Sequence, residues 1–168
     1  MAAAVVAWLA VLPAGGAKSL AEAIKAAYLV KFAPFVGWPA VAMQPAQEPF
    51  FICVIGGDPF GPDLEQAIAG QRVGGKPVAI RHMPQADRAS RCHIAFVSGP
   101  QPAVRAALTT LRGSPVLTVT DDSATPGVID FQILQNRVRF RVDEHSATEN
   151  GLTISSKLLS LAASVRRE

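Results

Sequence analysis

Three short apolar runs constrain the fold of this chain more than any other feature. They are FFICVIG at 50–56, CHIAFVS at 92–98 and SPVLTVTDD at 114–122. Runs of this length and composition are typical of strands buried on both faces of a parallel sheet. Helical patterns, DPFGPDLEQAIAG and QPAVRAALTTLRG, stand between them. This alternation predicts a single-domain α/β fold with a largely parallel central sheet flanked by helices, and 168 residues suit one core.

Two further stretches predict antiparallel pairing. RVGGKPVAIRHM suggests a hairpin or a bent strand pair around Gly74-Gly75. Later in the chain, GVIDFQILQNRVRFRV suggests two strands joined by a tight turn at Gln135-Asn136. Its second strand alternates apolar residues with arginines, namely Val138, Phe140 and Val142 with Arg137, Arg139 and Arg141. Such a row of arginines is expected on a solvated face, or alternatively on a face that docks an acidic surface or an anionic ligand.

A helix is predicted near each end of the domain. In SLAEAIKAAYLVKFAPFVGWP, Ser19 and Glu22 have the spacing of a capping box, and Pro34 is expected to kink the last turn. The aromatic residues of this helix form one stripe, either core or partly an exposed surface for a partner or a second copy. The stripe comprises Tyr28, Phe32, Phe35 and Trp38. Near the C-terminus, SSKLLSLAASV predicts a helix capped by Ser155 or Ser156, with Leu158, Leu161 and Val165 inward.

The first 17 residues, MAAAVVAWLAVLPAGGA, differ from the rest. The apolar run from Ala2 to Leu12 has the length of a signal-peptide core and is too short to span a bilayer. Small residues at Gly15-Gly16-Ala17 suit cleavage. We expect residues 1–17 to be a signal peptide and residues 18–168 to be the exported domain, the alternative being a buried N-terminal helix.

The loop GGDPFG at 56–61 follows the first apolar run, where many phosphate-binding loops occur. It lacks the G-x-G-x-x-G spacing and the Lys-Ser/Thr ending of such loops. Pro59 suits the first helical position with Asp58 as its cap, and a carboxylate there repels anions. We therefore expect a strand-to-helix turn and no nucleotide.

Neither a catalytic set nor a cofactor is predicted. None of His82, His93 and His145 stands at a metal-ligand spacing from another ligand type. Cys92 and His93 are adjacent, so in a strand they point to opposite faces and cannot pair as nucleophile and base. The formal charge of +3 is small and scattered, which disfavours nucleic acid as a partner.

The ends of the buried strands supply an alternative site, because α/β folds often bind ligands there. Asp121-Asp122 ends such a strand, although paired acids in a turn are more often hydrogen-bonding caps. A small-ligand pocket at these ends would involve Gly57, Asp58, Ser98, Thr120 and Asp121.

The chain contains two cysteines, Cys53 and Cys92. An even count in an exported protein suggests a disulfide, whereas free cysteine is also common inside an apolar strand such as the one that holds Cys53. A strand-helix-strand order tends to place strands side by side. We therefore expect the two cysteines to lie close together, and the sequence leaves open whether they are bridged.

Four ordered segments resemble one family. They are IKAAYLVKFAPFVGWP, FFICVIGGDPFG, CHIAFVS followed by PVLTVTDD, and NRVRFRV through GLTISSKLLSLA. From about Ala23 to Ala162 the chain resembles the YfiR family of exported bacterial proteins.

This resemblance implies a periplasmic regulator that is not an enzyme and needs no cofactor. The best-understood role in the family is to bind the periplasmic sensor domain of an inner-membrane diguanylate cyclase of the GGDEF type. Binding holds the cyclase off and lowers cyclic di-GMP. Redox or envelope stress that acts on the regulator's disulfides then releases the cyclase. Other members occur beside sensor kinases and outer-membrane receptors. The second cysteine pair that some members carry is absent from this chain.

Overall fold

The three apolar runs form the centre of an eight-stranded sheet. The structure is a computed structural model that describes residues 16–168. The strands are β1 (Val36–Gly37), β2 (Phe50–Ile55), β3 (Arg72–Val73), β4 (Lys76–Met83), β5 (Ile94–Val97), β6 (Leu117–Asp121), β7 (Ile129–Leu134), β8 (Arg137–Asp143), β9 (Thr153–Ile154) and β10 (Ser164–Arg166). The α-helices are α1 (Gly16–Phe32), α2 (Pro62–Ile68), α3 (Gln101–Leu111), α4 (Glu144–Glu149) and α5 (Ser156–Leu161).

The strand order in the large sheet is β10-β8-β7-β6-β5-β2-β4-β3. Five of its strand pairs are parallel, and only the β7–β8 and β3–β4 pairs are antiparallel. Both predicted hairpins are therefore confirmed. In the β7–β8 turn, Gln135 and Asn136 have φ angles of 51° and 58°, which suit the twist of a two-residue hairpin turn. β1 and β9 pair separately, with Val36 opposite Ile154.

Apolar side chains cover both faces of the central strands. On one face, α1 and α2 pack over the side chains of Phe50, Ile52 and Val54. On the other face, α3 packs over the alternate residues of β2, which include Cys53. Because β2 is buried at every position, its run is continuously apolar rather than alternating. The predicted α/β architecture, a largely parallel sheet flanked by helices with a late antiparallel hairpin, is confirmed.

Several predicted helix boundaries are wrong. α1 begins at Gly16, ahead of the Ser19 capping box, and it ends at Phe32, where Pro34 falls in a 3-10 turn. α2 begins at Pro62 rather than Pro59. Asp58 does not cap this helix, because its carboxylate accepts hydrogen bonds from the backbone N–H groups of Phe60 and Gly61 and so closes a separate turn.

The C-terminal helix is shorter than predicted. Ser155 caps α5, since its hydroxyl accepts a hydrogen bond from the Leu158 N–H at 3.2 Å. Leu158 is buried as expected, but Leu161 is 59% exposed. Val165 lies in β10, because the chain leaves the helix at Ala162 and pairs in parallel with β8.

The predicted signal peptide at 1–17 falls almost wholly outside the described residues. Among the residues that the structure describes, no helix is both long enough and apolar enough to cross a membrane.

Candidate functional site

Most of the aromatic stripe on α1 belongs to the core. Phe32 is 1% exposed, and its ring lies 5.1 Å from that of Phe140 on β8. Tyr28 is half-buried and packs on the same Phe140 ring at 5.7 Å. The predicted docking role for Phe32 is therefore wrong, because the hairpin covers its side chain.

The remaining aromatics of the stripe lie beyond the end of α1. Trp38 is half-buried and packs edge-on against the ring of Phe50 at 5.2 Å. Phe35 is also half-buried, and the Lys157 ammonium lies 5.6 Å from the centre of its ring. These contacts fasten the segment after α1 onto the sheet and onto α5.

The large apolar residues that are exposed on α1 precede the aromatic stripe. Leu20 is 63% exposed and Ile24 is 38% exposed, one helical turn apart. Across from them, Ile133 at the end of β7 is 51% exposed. Together they border a cleft of about 620 Å³, which we call the α1–hairpin groove. It is lined by Leu20, Ala21, Glu22, Ile24, Lys25, Tyr28, Ile133, Asn136, Arg137, Val138 and Arg139.

The three arginines of β8 do not act alike. Arg141 binds the carboxylate of Asp130 at 2.7 Å, and Asp130 is 1% exposed. The same carboxylate accepts a hydrogen bond from the Thr120 hydroxyl at 2.6 Å. Arg141 therefore compensates a buried charge, which corrects its assignment to the docking surface. Arg137 and Arg139 are exposed, line the α1–hairpin groove and form no ion pair within the described part of the chain.

A buried ion cluster holds α1 against the end of β6. The ammonium of Lys25 lies 2.6 Å from the carboxylate of Asp121 and 3.2 Å from that of Glu22. Burial lowers the pKa of Lys25, but its hydrogen bonds and ion pairs with Asp121 and Glu22 outweigh burial and leave the pKa above 10.5. Lys25 is therefore a permanent cation that fixes the position of α1.

A second cleft, of about 440 Å³, lies where β2 and β5 end. The loops that leave these neighbouring strands lead to helices on opposite faces, since α2 packs on one face of the sheet and α3 on the other. This is the topological switch point at which α/β sheets commonly bind ligands. Gly56 is required here, because a Cβ at its φ of 87° would overlap the Ser98 carbonyl oxygen.

Only some of the predicted pocket residues meet at this switch-point cleft. Gly57 and Ser98 line it, and the Ser98 hydroxyl donates a hydrogen bond to the Gly57 carbonyl. Thr120 is fully buried, and Asp121 is paired with Lys25, so neither side chain lines the cleft. Asp58 closes its own turn instead. The rest of the lining is mostly apolar, contributed by Ile55, Pro84, Ala86, Val97, Pro100, Ala103, Ala106 and Ala107.

His93 has a structural role. Its Nδ1 accepts a hydrogen bond from the Phe51 N–H at 3.0 Å, so Nε2 carries the proton and donates to the Ala42 carbonyl at 3.0 Å. Burial lowers the pKa of His93 below 6.5, and the nearby charges of Lys76 and Arg91 lower it further. The imidazole is neutral and joins β2 to the preceding loop.

Cys53 and Cys92 form a disulfide, with Cα atoms 5.8 Å apart. Cys53 lies in β2 and Cys92 lies just before β5, the adjacent parallel strand, so the predicted proximity is confirmed. Within residues 16–168, no cluster of histidine, cysteine and carboxylate side chains has the arrangement needed to hold a metal ion.

Sequence reasoning missed the exposed residues of the groove. Leu20 and Ile24 lie at helical spacing from Tyr28, so periodicity assigns them to the same helix face as a stripe that is mainly core. Ile133 lies two residues before the hairpin turn. A large apolar residue so close to a turn indicates an exposed apolar surface, but an analysis of periodicity alone does not detect it.

Fold and surface together define a class: a single-domain α/β protein with a disulfide inside its core and an apolar groove on its surface. Among the residues that the structure describes, the two arginines beside this groove form no ion pair, and no cluster of side chains suits a metal ion. The sequence model of the YfiR/HmsC-like family matches residues 22–163, and the chain belongs to this family of regulatory proteins. The match covers every strand from β1 to β9. A comparison with curated proteins finds no match.

Proposed function

We propose that this protein is a periplasmic regulator that binds the periplasmic sensor domain of an inner-membrane diguanylate cyclase and represses it, lowering cyclic di-GMP. It acts by protein–protein contact and has no catalytic activity of its own. The observation that carries this proposal is the α1–hairpin groove, which exposes large apolar side chains on a member of a regulatory family. Contiguous exposed apolar surface on a small domain marks an interaction site.

Two other observations support this function. The disulfide between Cys53 and Cys92 suits an oxidising compartment such as the periplasm. The mainly structural roles of the buried polar groups, including the Lys25–Asp121 pair and the hydrogen bonds of His93, also support a scaffold for binding rather than a catalyst.

The test combines a pull-down with a genetic experiment. The exported chain, immobilised and exposed to solubilised membranes, is expected to retain a GGDEF-type cyclase that mass spectrometry identifies. Deleting the gene for this protein should raise cyclic di-GMP, and deleting the cyclase gene as well should abolish that rise. Unchanged cyclic di-GMP in the single deletion would contradict repression.

A second candidate function is a receptor for a small ligand, which feeds a membrane sensor kinase or a transporter. The switch-point cleft between β2 and β5 favours it, because its volume of about 440 Å³ is within the range of ligand pockets and its lining is mostly apolar. A thermal-shift screen with small apolar and aromatic compounds tests this candidate. A hit should be abolished in Ala106→Leu, which fills the cleft, whereas a shift that survives this substitution would place the ligand elsewhere.

A further inference from the structure

We propose that the α1–hairpin groove binds an apolar segment flanked by carboxylates, presented by the extracytoplasmic domain of the membrane partner. This inference rests on the proposed function and names the surface and the chemistry of the contact. It relies on three properties of the groove: exposed apolar side chains, an uncompensated positive charge and a floor that is already ordered.

The groove exposes large apolar side chains from two different elements of the fold. Leu20 and Ile24 lie on one face of α1, and Ile133 faces the same cleft from the end of β7. A cleft of about 620 Å³ has room for one or two large side chains of a peptide segment.

The charges around the groove define the sign of the partner. Of the four charged residues that line it, Glu22 and Lys25 are paired with each other. Arg137 and Arg139 have no ion-pair partner among residues 16–168, so the rim is positive. Complementary charge steers encounter and suppresses wrong partners, so the segment that docks here carries carboxylates.

The same charges argue against a second copy of this chain as the occupant. A twofold symmetric dimer places the same patch of each copy against the other. Arg137 and Arg139 of the two copies would then approach one another across the interface, and like charges in that position are unfavourable. An acidic segment would neutralise the positive charge of this rim, whereas the arginines of a second copy would be repelled by it.

The floor of the groove is fixed before any partner arrives. Val138 is 8% exposed and Tyr28 packs on Phe140, which joins the helix to the hairpin. The Lys25–Asp121 ion pair at 2.6 Å holds the same part of α1 against β6. A preformed groove loses little conformational freedom on binding, which favours affinity.

The experiment measures binding of the exported chain to the purified extracytoplasmic domain of the cyclase recovered from membranes as described above. Leu20→Ala/Ile24→Ala is expected to weaken binding about thirtyfold, mainly through faster dissociation, with an unchanged melting temperature. Leu161→Ala is the matched control, since Leu161 is 59% exposed outside the groove, and it should bind as the wild type does.

A second pair of variants tests the charge. Arg137→Glu/Arg139→Glu is expected to slow association and to reduce its dependence on salt concentration. Arg105→Glu/Arg112→Glu reverses two exposed arginines outside the groove, changes the net charge by the same amount and serves as the control for net charge.

The outcomes distinguish a failure of the proposed binding groove from a failure of the proposed regulatory function. Wild-type binding that both groove variants retain would overturn the groove and leave the regulatory function standing. Absence of wild-type binding to the cyclase domain would overturn the function, and this inference with it. A wild-type dimer in analytical ultracentrifugation that becomes monomeric in Leu20→Ala/Ile24→Ala would show that the groove holds a second copy instead.

Discussion

Lys25 shows how a buried charge is used in this molecule. Lys25 is 4% exposed, and its ammonium contacts the carboxylates of Glu22 and Asp121. Asp121 lies 96 positions away in the sequence. A buried ion left without its partner is costly, so the Lys25–Asp121 pair specifies where α1 lies rather than merely adding attraction.

Asp121→Asn is expected to lower the free energy of unfolding by about 2 kcal/mol, because it removes a charged hydrogen bond to a buried ammonium. Urea unfolding measures the change. Asp122→Asn is the matched control, since Asp122 is exposed and has a φ of 45°, a conformation that asparagine adopts readily. Equal losses in the two variants would show that the pair does not stabilise the fold.

His93 makes stability depend on pH. The pKa of His93 in the folded state lies below 6.5, its ordinary value in the unfolded chain. At a pH between the folded and the unfolded pKa, the unfolded chain therefore binds a proton that the folded chain does not. The contribution of the neutral imidazole is therefore complete above about pH 6.5 and is lost as the pH falls below it. The charged groups around it are Lys76, Arg91 and Glu48.

We expect the free energy of unfolding to fall between pH 7 and pH 5.5, by at most about 1.4 kcal/mol per pH unit for one group. Urea titrations over this range measure the slope, and His93→Gln should flatten it. His145→Gln, which removes an exposed histidine, is the control. An NMR titration that places the His93 pKa above 6.5 would contradict the argument even if the His93 variant does not fold.

At the scale of elements, the disulfide joins β2 to the segment that leads into the adjacent parallel strand β5, on the face that α3 covers. Cys53 and Cys92 are 39 positions apart, and the intervening chain contains α2, β3 and β4. The bond therefore constrains a complete supersecondary unit in the unfolded chain.

Reduction should destabilise the domain by about 2 to 4 kcal/mol through the loss of this constraint. Thermal melts with and without reductant measure the effect. The Cys53→Ala/Cys92→Ala variant should melt at a lower temperature and be insensitive to reductant. A wild-type melting temperature that reductant leaves unchanged would mean that the two thiols are not bridged in solution.

At the scale of the whole molecule, we expect export with cleavage near Ala17. The apolar core and the small residues before Lys18 motivate this prediction. Such cleavage would trim the first turn of α1 but keep Leu20 and Ile24. Mass spectrometry of the protein recovered from the periplasm should show a chain shortened by about 17 residues, and an intact N-terminus in a cytoplasmic fraction would contradict export.

The sequence alone determined the α/β fold, because each signal for it is local. The fully apolar run of β2 predicts burial on both faces, and Gln135-Asn136 predicts a turn between two alternating strands. Helix boundaries were less accurate, because Asp58 suits both a helix cap and a separate turn, and only the packed chain shows that it closes the turn ahead of α2.

Only the tertiary structure decided which apolar and charged residues face solvent. Leu20, Ile24 and Tyr28 share one helical spacing, yet the hairpin covers the ring of Tyr28 and leaves Leu20 exposed. Likewise, Arg139 and Arg141 have the same strand phase, but Asp130 from β7 pairs with only one of them. Periodicity is a property of one segment, whereas burial and pairing depend on a second segment that folding brings from a distant position.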